Sequence, residues 1–239
     1  MEEKLLQMKS LVERLNQASD SYYNGKGELM TDYEWDALFD QLKRLEEETG
    51  EILPDSPTNR VSEDSIVGKK EEHEFAALSL AKTKQVSDLV KWAEDRPIWI
   101  SWKLDGLTLV VTYDGGILTK IVTRGNGHIG TNITHLAPAI SGIPATISEK
   151  GHLVVRGEAV ISYTDFEQFI IESEGDYANP RNLASGSLAL KDIEEVKQRH
   201  IQWIPFTLVY TERELTSWGE RMQMLKDLGM NPVERERID

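Results

Sequence analysis

The chain has 239 residues, of which 39% are hydrophobic and 28% are charged, as is typical of a globular protein with a sizeable core. Its net charge of −14 argues against this chain gripping a nucleic-acid backbone alone, and the absence of cysteine excludes disulfides and thiolate metal sites. No apolar run reaches membrane-spanning length and the charged N-terminus is no signal peptide, so we expect a cytoplasmic protein with no membrane partner.

The first 56 residues carry the pattern of two amphipathic helices. Apolar residues recur at helical spacing over residues 5–15 and again over residues 35–45. A polar turn, SYYNGKGELMT, separates the two runs, and Thr31 or Asp32 can cap the second helix. The stretch Pro54-Asp55-Ser56-Pro57-Thr58 breaks the pattern and is typical of a linker. We therefore predict a small helical domain over residues 1–56 and a second domain over residues 57–239.

The second domain alternates between strand and helix patterns. Residues 62–75 are polar and predict a surface loop, and residues 85–94 predict a short helix. Runs rich in β-branched and aromatic residues predict strands at 98–102, 107–113, 117–123, 153–161 and 203–210. Asp114-Gly115-Gly116 is a hairpin signal, and helices are expected at 163–172 and 215–228. This order favours an α+β fold with antiparallel sheets.

The segment Lys103-Leu104-Asp105-Gly106 has the residue types of a covalent nucleotidyl-transfer site. A neutral lysine amine can attack phosphorus, a strand position would fix its direction, and a glycine lets the backbone approach a nucleotide closely. By chance the pattern Lys-x-Asp-Gly occurs in about one chain in twenty of this length. Alone it therefore favours the alternative of a surface lysine on a β-hairpin.

Other segments, in a fixed order, agree with this lysine. They are Asp32-Tyr33-Glu34-Trp35-Asp36, Pro54-Asp55-Ser56-Pro57-Thr58, Thr123-Arg124-Gly125-Asn126-Gly127, Val155-Arg156-Gly157-Glu158, Ala178-Asn179-Pro180-Arg181-Asn182 and Ser185-Gly186-Ser187-Leu188. In this order and spacing the set resembles the bacterial NAD⁺-dependent DNA ligases over nearly the whole chain.

The resemblance implies a helical domain that binds the nicotinamide mononucleotide (NMN) half of NAD⁺, followed by an adenylation domain with the nucleotidyltransferase fold. It implies that Lys103 attacks the α-phosphorus of NAD⁺, expels NMN and holds AMP as a phosphoramidate. The AMP would then pass to a 5′-phosphate at a nick in duplex DNA.

The resemblance also assigns roles within the adenylation domain. Asp105 would orient the lysine or the ribose, and Arg124 and Arg181 would stabilise phosphate oxygens. Glu158 would bind the sugar and help to hold Mg²⁺. The adenine would lie beside Ser79, Leu80, Ser101 and Phe206. Surface salt bridges are the alternative for the arginines, and core packing is the alternative for Phe206.

In the helical domain the resemblance points to a site for the cationic nicotinamide ring, which aromatic faces and carboxylates suit. Its expected members are Tyr22, Tyr23, Asp32, Tyr33, Glu34, Trp35 and Asp36. The alternatives are an N-cap for Asp32, a solvated charge for Asp36 and core packing for Trp35.

The sequence departs from the family pattern at several positions. Ser101 replaces a glutamate, Asn126 an aspartate, Thr131 and Asn132 an acidic pair, and Ala189 an arginine. The family's Asp-Gly-x-Val-x-Lys strand, OB domain, zinc finger and helix–hairpin–helix repeats are not present, so no zinc is expected in this chain. Three explanations remain open: a fragment, one subunit of a split ligase completed by a second chain, or a degenerate homologue that binds a nucleotide or acts as a scaffold.

Overall fold

The computed structural model describes residues 2–23, 29–58, 66, 68–78, 81–173 and 177–238, and for Glu2, Glu3, Asp20, Tyr22, Tyr23 and Asp32 it describes the backbone alone. The helices are α1 Glu2–Tyr23, α2 Asp32–Thr49, α3 Val86–Ala93, α4 Tyr163–Ser173, α5 Pro180–Leu188, α6 Ile193–Lys197, α7 Trp218–Asp227 and a 3₁₀ helix Thr134–Ala139. The strands are β1 Lys70–Glu72, β2 Ile98–Ser101, β3 Leu107–Asp114, β4 Ile117–Thr123, β5 Ile129–Thr131, β6 Leu153–Val160, β7 Gln202–Thr211 and β8 Arg235–Ile238.

Helices α1 and α2 form the predicted N-terminal hairpin. Thr31 caps α2 through a capping box, in which its hydroxyl accepts from the Glu34 N–H and the Glu34 carboxylate accepts from the Thr31 N–H. The two apolar stripes meet in a core of Met8, Leu11, Val12, Leu15, Leu42 and Leu45. The turn was predicted from residue 21, but α1 continues through Tyr23, so the tyrosines belong to the helix.

A buried carboxylate fixes the chain as it leaves this hairpin. Glu46, on α2, is 6% exposed and accepts hydrogen bonds from Ser56 Oγ at 2.5 Å and Thr58 Oγ1 at 2.6 Å. Ser56 is fully buried and its hydroxyl also lies 2.9 Å from Thr58 Oγ1, so the three side chains form one hydrogen-bonded group. The predicted linker is therefore held against the hairpin along residues 56–58.

Replacing Glu46 with alanine should lower the free energy of unfolding by about 1–3 kcal/mol, because it removes the carboxylate that accepts from the buried Ser56 hydroxyl and from the partly buried Thr58 hydroxyl. The loss is measured by urea unfolding followed by circular dichroism. Glu47→Ala is the matched control, since the neighbouring side chain is exposed. Equal stabilities of the two variants would contradict the assigned role of Glu46.

A four-stranded antiparallel sheet in the order β4-β3-β6-β7 forms the centre of the remaining chain. Gly115 and Gly116 join β3 to β4 with φ of 61° and 81°, which is the two-residue hairpin turn that the sequence predicts. One face of the sheet packs on a core that includes the fully buried Tyr113 and Trp203. The α+β class with antiparallel sheets is confirmed.

Several predicted boundaries were wrong. The loop expected over residues 62–75 contains β1, which pairs with β5 through Lys70 opposite Thr131. The predicted strand 98–102 ends at Ser101, where pairing with β8 stops. The last helix starts at Trp218 because Ser217 forms a capping box with Glu220.

His152 connects the segment after β1 to the sheet. Its Nδ1 lies 2.6 Å from Asp114 Oδ1 and its Nε2 lies 2.8 Å from Glu74 Oε2. These hydrogen bonds, the one to Asp114 first, raise the pKa of His152. The same segment stacks Phe75 on Tyr210 at 5.1 Å between ring centroids. The His152 ring is thus one of the groups that hold residues 74–75 in place.

The raised pKa of His152 predicts a pH-dependent stability. The contribution is fully present below the ordinary histidine pKa of about 6.5 and is lost as pH rises through the higher folded value. We expect a loss of up to about 1 kcal/mol, because both carboxylates are more than half exposed. His152→Gln should flatten the slope in urea unfolding at a series of pH values, whereas exposed His135→Gln should not. An unchanged slope in the His152 variant would refute this assignment.

Candidate active site

Lys103 lies in the extended connection between β2 and β3, two residues beyond the end of β2. The expectation that a strand carries it was wrong, because β2 stops pairing at Ser101. Its side chain is exposed. Gly106 closes the connection, where a Cβ would lie 2.2 Å from the Ala159 carbonyl oxygen, so this close approach requires glycine. The Lys103 segment is therefore held by a tight junction with β6 at the end of the sheet where the central strand β3 begins.

Asp105 and Arg181, 76 residues apart, form an ion pair in which Arg181 Nη1 donates to Asp105 Oδ1 at 2.7 Å. Arg181 stands in the first turn of α5, whose start is set by Asn179 as N-cap and Pro180 at the first position. A cation in the first turn is unfavourable for the helix dipole. Pairing with Asp105 offsets that cost and directs the guanidinium toward the Lys103 segment.

Glu158, on β6, accepts a hydrogen bond from Thr108 Oγ1 at 2.8 Å, and the two residues face each other across the β3–β6 ladder. Burial raises the pKa of Glu158, while Thr108, Arg181 and Lys103 oppose the shift. The carboxylate thus stands close to the candidate nucleophile and the candidate phosphate-binding arginine.

Arg124 follows β4 and donates its backbone N–H to the Thr108 carbonyl. It is near Arg156, whose pKa is lowered by burial and further by Arg124. Arg156 Nη2 donates to the carbonyls of Phe75 at 3.2 Å and Ala76 at 2.7 Å. Two neighbouring guanidinium groups make this part of the sheet attractive to an anion.

Thr108 and Arg156 were not predicted as site residues. Arg156 precedes Glu158 by two positions on β6, so strand alternation places both on one face, and that signal was available. Thr108 carries no distinguishing pattern, because its partner lies 50 residues away.

On the helical hairpin, Asp36 is half-buried and forms ion pairs with Lys84 Nζ at 2.8 Å and Lys82 Nζ at 3.3 Å. Tyr33 is 78% exposed. The Trp35 ring stacks on that of Phe39 with 4.9 Å between centroids and packs against the hairpin core, as the alternative of core packing predicts.

The other predicted site residues that the structure describes lie in different environments. The Glu34 carboxylate serves the capping box, which lowers its pKa. Phe206 is partly buried at a bulge of β7 and packs against the main core, and Ser101 is exposed on β2. Ser79 and Leu80 lie outside the described residues, as do the side chains of Tyr22, Tyr23 and Asp32.

Asn126, which replaces a family aspartate, stabilises the turn in which it lies through its side-chain oxygen. Its Oδ1 accepts from the His128 N–H at 3.0 Å and the Ile129 N–H at 2.9 Å. Asn132 similarly accepts from the Thr134 N–H at the start of the 3₁₀ helix. These departures therefore stabilise the loops around Arg124.

The part of the chain that the structure describes has neither a cluster of potential metal ligands nor a membrane-spanning helix. No group of three or more His, Asp or Glu side chains there could hold a metal ion. Nor is any helix there long and apolar enough to cross a membrane.

Comparison with known proteins gives two family matches and several curated relatives. A model of the NAD-dependent DNA ligase adenylation domain matches residues 69–238, and a model of the DNA ligase-like, N-terminal NAD+-binding domain matches residues 1–62. The chain is 40% identical to a DNA ligase of Lachnoclostridium phytofermentans and to one of Ruminiclostridium cellulolyticum, with 100% of this chain and 37% of each relative covered. A DNA ligase of Leptospira biflexa is 38% identical over 81% of this chain and 30% of its own length.

The chain thus spans 37% of the length of the first two relatives. The adenylation-domain match covers well over half of the chain, and the N-terminal match covers the helical hairpin. This chain belongs to the NAD-dependent DNA ligase family and contains its adenylation domain.

Proposed function

We propose that this chain is the adenylation module of an NAD⁺-dependent DNA ligase and forms lysyl-AMP on Lys103. The observation that carries the proposal is the convergence of separate segments on the Lys103 connection, with Arg181 paired to Asp105 and Glu158 close by. In the reaction the neutral Lys103 amine forms an N–P bond to the α-phosphorus. The P–O bond to the NMN phosphate breaks, and the amine proton passes to solvent.

Catalysis of phosphoryl transfer rests mainly on positioning and charge stabilisation. Arg181 has a guanidinium fixed at a helix start, and Arg124 lies beside Arg156 next to β3. We assign Arg181 and Arg124 to the phosphate oxygens, and Asp105 to orienting the Lys103 segment through Arg181. Glu158 is assigned to the ribose, with adenine contacts from Ser79, Leu80, Ser101 and Phe206.

Mg²⁺ fits the residues present, because proteins commonly hold it through one or two carboxylates together with substrate phosphates. Glu158 offers one such carboxylate, whose buried charge is costly without a cation. When bound, the ion would neutralise charge on the pyrophosphate of NAD⁺.

We propose a helical domain over residues 1–56 and an adenylation domain over residues 57–239. The helical domain is assigned to binding the nicotinamide half of NAD⁺. The exposed Tyr33 ring and the Asp36 carboxylate are suited to a cationic ring. We place Tyr22, Tyr23, Asp32, Glu34 and Trp35 in or beside the same site.

The AMP would pass to the 5′-phosphate of nicked duplex DNA. With a net charge of −14, this module needs other domains or another chain for its grip on DNA. We propose that the Asp-Gly-x-Val-x-Lys strand is supplied by the same polypeptide or by a second ligase subunit. The bacterial relatives and the cysteine-free sequence favour the cytoplasm.

The choice of adenylyl donor tests the proposal. Purified protein should gain one AMP from NAD⁺ in the presence of Mg²⁺, with release of NMN, and should gain none from ATP. A site for a cationic ring in the helical domain would bind the nicotinamide of NAD⁺, whereas ATP has no cationic ring to place there. Adenylylation by ATP in preference to NAD⁺ would overturn the donor assignment, and calorimetric NAD⁺ binding without any adduct would favour a binding protein on this fold.

A further inference from the structure

The Asp36 carboxylate is already occupied by cations of the same chain. Lys84 Nζ lies 2.8 Å from Oδ2, and Lys82 Nζ lies 3.3 Å from Oδ1. Each carboxylate oxygen therefore has its own ammonium partner. Both lysines come from the stretch between residue 80 and α3, outside the helical hairpin.

The same ammonium groups also cover aromatic faces of α2. Lys84 Nζ lies 5.6 Å from the centroid of the Tyr33 ring, and Lys82 Nζ lies 5.6 Å from that of Phe39. A carboxylate flanked by aromatic faces is the environment expected to attract a cationic nicotinamide ring. In this structure the ammonium groups of the two lysines occupy the position expected for that ring.

These contacts are exchangeable. The side chains of Lys82 and Lys84 are 66% and 55% exposed, whereas that of Asp36 is 28% exposed. The hydrogen bond from Lys84 lowers the pKa of Asp36, and Asp36 in turn raises the pKa of Lys84, so the carboxylate is ionised and paired near neutral pH. Ion pairs with such exposed partners are weak and are screened by salt, so an incoming ligand can displace them.

We infer that Lys82 and Lys84 compete with the nicotinamide ring of NAD⁺ for Asp36 and Tyr33. The lysines thereby set the affinity of the helical domain for NAD⁺ and leave the rate of AMP transfer to Lys103 unchanged. This inference rests on the proposed function, since it takes the hairpin as the nicotinamide site. It adds two residues that set the affinity for NAD⁺ and that lie outside the motifs named above.

The test is the double variant Lys82→Gln/Lys84→Gln, which removes both charges and keeps polar side chains of similar length. The NAD⁺ concentration for half-maximal self-adenylylation should fall about three- to tenfold, the range expected for losing two exposed ion pairs. The maximal rate should not change. The matched control is Lys43→Gln/Lys91→Gln, which removes two charges from exposed positions of α2 and α3 and should leave both quantities unaltered.

Calorimetric titration with NMN separates failure of this inference from failure of the proposed function. The lysine variant should bind NMN more tightly than wild type, and this gain should vanish when Asp36→Asn is added. A higher NAD⁺ requirement would show that the lysines bind the dinucleotide, and an unchanged requirement would show no competition; either result overturns the inference. Absence of an adduct in wild type would instead count against the proposed function, while the NMN titration would still decide the competition.

Discussion

Lys103→Arg is expected to abolish AMP transfer to the protein, with a fall in the self-adenylylation rate of at least about 10³-fold. Arginine keeps the positive charge near Glu158, but its guanidinium remains protonated and cannot act as the nucleophile. The loss would therefore come from the missing amine and not from an altered field around the carboxylate. The measurement is incorporation of label from adenylate-labelled NAD⁺.

The Lys103→Arg variant should fold as the wild-type protein does. Lys103 is exposed, so the unfolding transition of the arginine variant should match that of wild type. Lys150→Arg, at another exposed lysine, is the control and should label normally. Persistent labelling of the Lys103 variant would remove this residue from the role of nucleophile.

Arg181→Ala should lower the rate of self-adenylylation about 10²- to 10³-fold, the usual cost of losing a fixed cationic donor to transition-state charge. The Arg181 side chain is 26% exposed and that of its partner Asp105 is 63% exposed. The ion pair itself should therefore contribute no more than about 1 kcal/mol to the free energy of unfolding. A large loss of rate with a small loss of stability is the expected signature.

Two further variants separate position from charge. Arg181→Lys keeps the charge but loses the planar fork, so it should recover part of the lost rate. Asp105→Asn removes the group that directs the guanidinium and should lower the rate less than Arg181→Ala does. Lys4→Ala breaks an exposed ion pair with Glu48 on the hairpin and should leave the rate unchanged. If Arg181→Ala were as active as this control, Arg181 would have no role in phosphate stabilisation.

Periodic and local signals predicted the elements that set the frame of the molecule. The stripes of α1 and α2, the Gly115-Gly116 turn and the strands of the central sheet each follow from neighbours in sequence. The resemblance to NAD⁺-dependent DNA ligases, drawn from collinear motifs, is likewise confirmed by the family matches.

Elements that depend on distant pairing escaped prediction. Strands β1 and β5 have three residues each, too few to show alternation, and they exist because Lys70 pairs with Thr131 across the fold. Strand β8, with the sequence RERI, is charged at three of its four positions and shows no apolar face. Its pairing with β2 therefore had no signal in the sequence.

Within the candidate site, the sequence indicated which residues take part but not which of them form ion pairs with one another. Asp105 and Arg181 were both expected near the nucleotide, yet their ion pair joins positions 76 residues apart. The contacts of Lys82 and Lys84 with Asp36 arise from a polar stretch without a motif, so only the folded chain brings them together.

The most direct test of lysyl-AMP formation on Lys103 is peptide mapping of the wild-type protein after incubation with NAD⁺ and Mg²⁺. A single AMP should be found on the peptide that contains Lys103, and it should be released by mild acid, since a phosphoramidate N–P bond is acid-labile. Wild-type protein that stays unmodified, or that carries AMP on another residue, would contradict the assignment of Lys103 as the adenylation nucleophile.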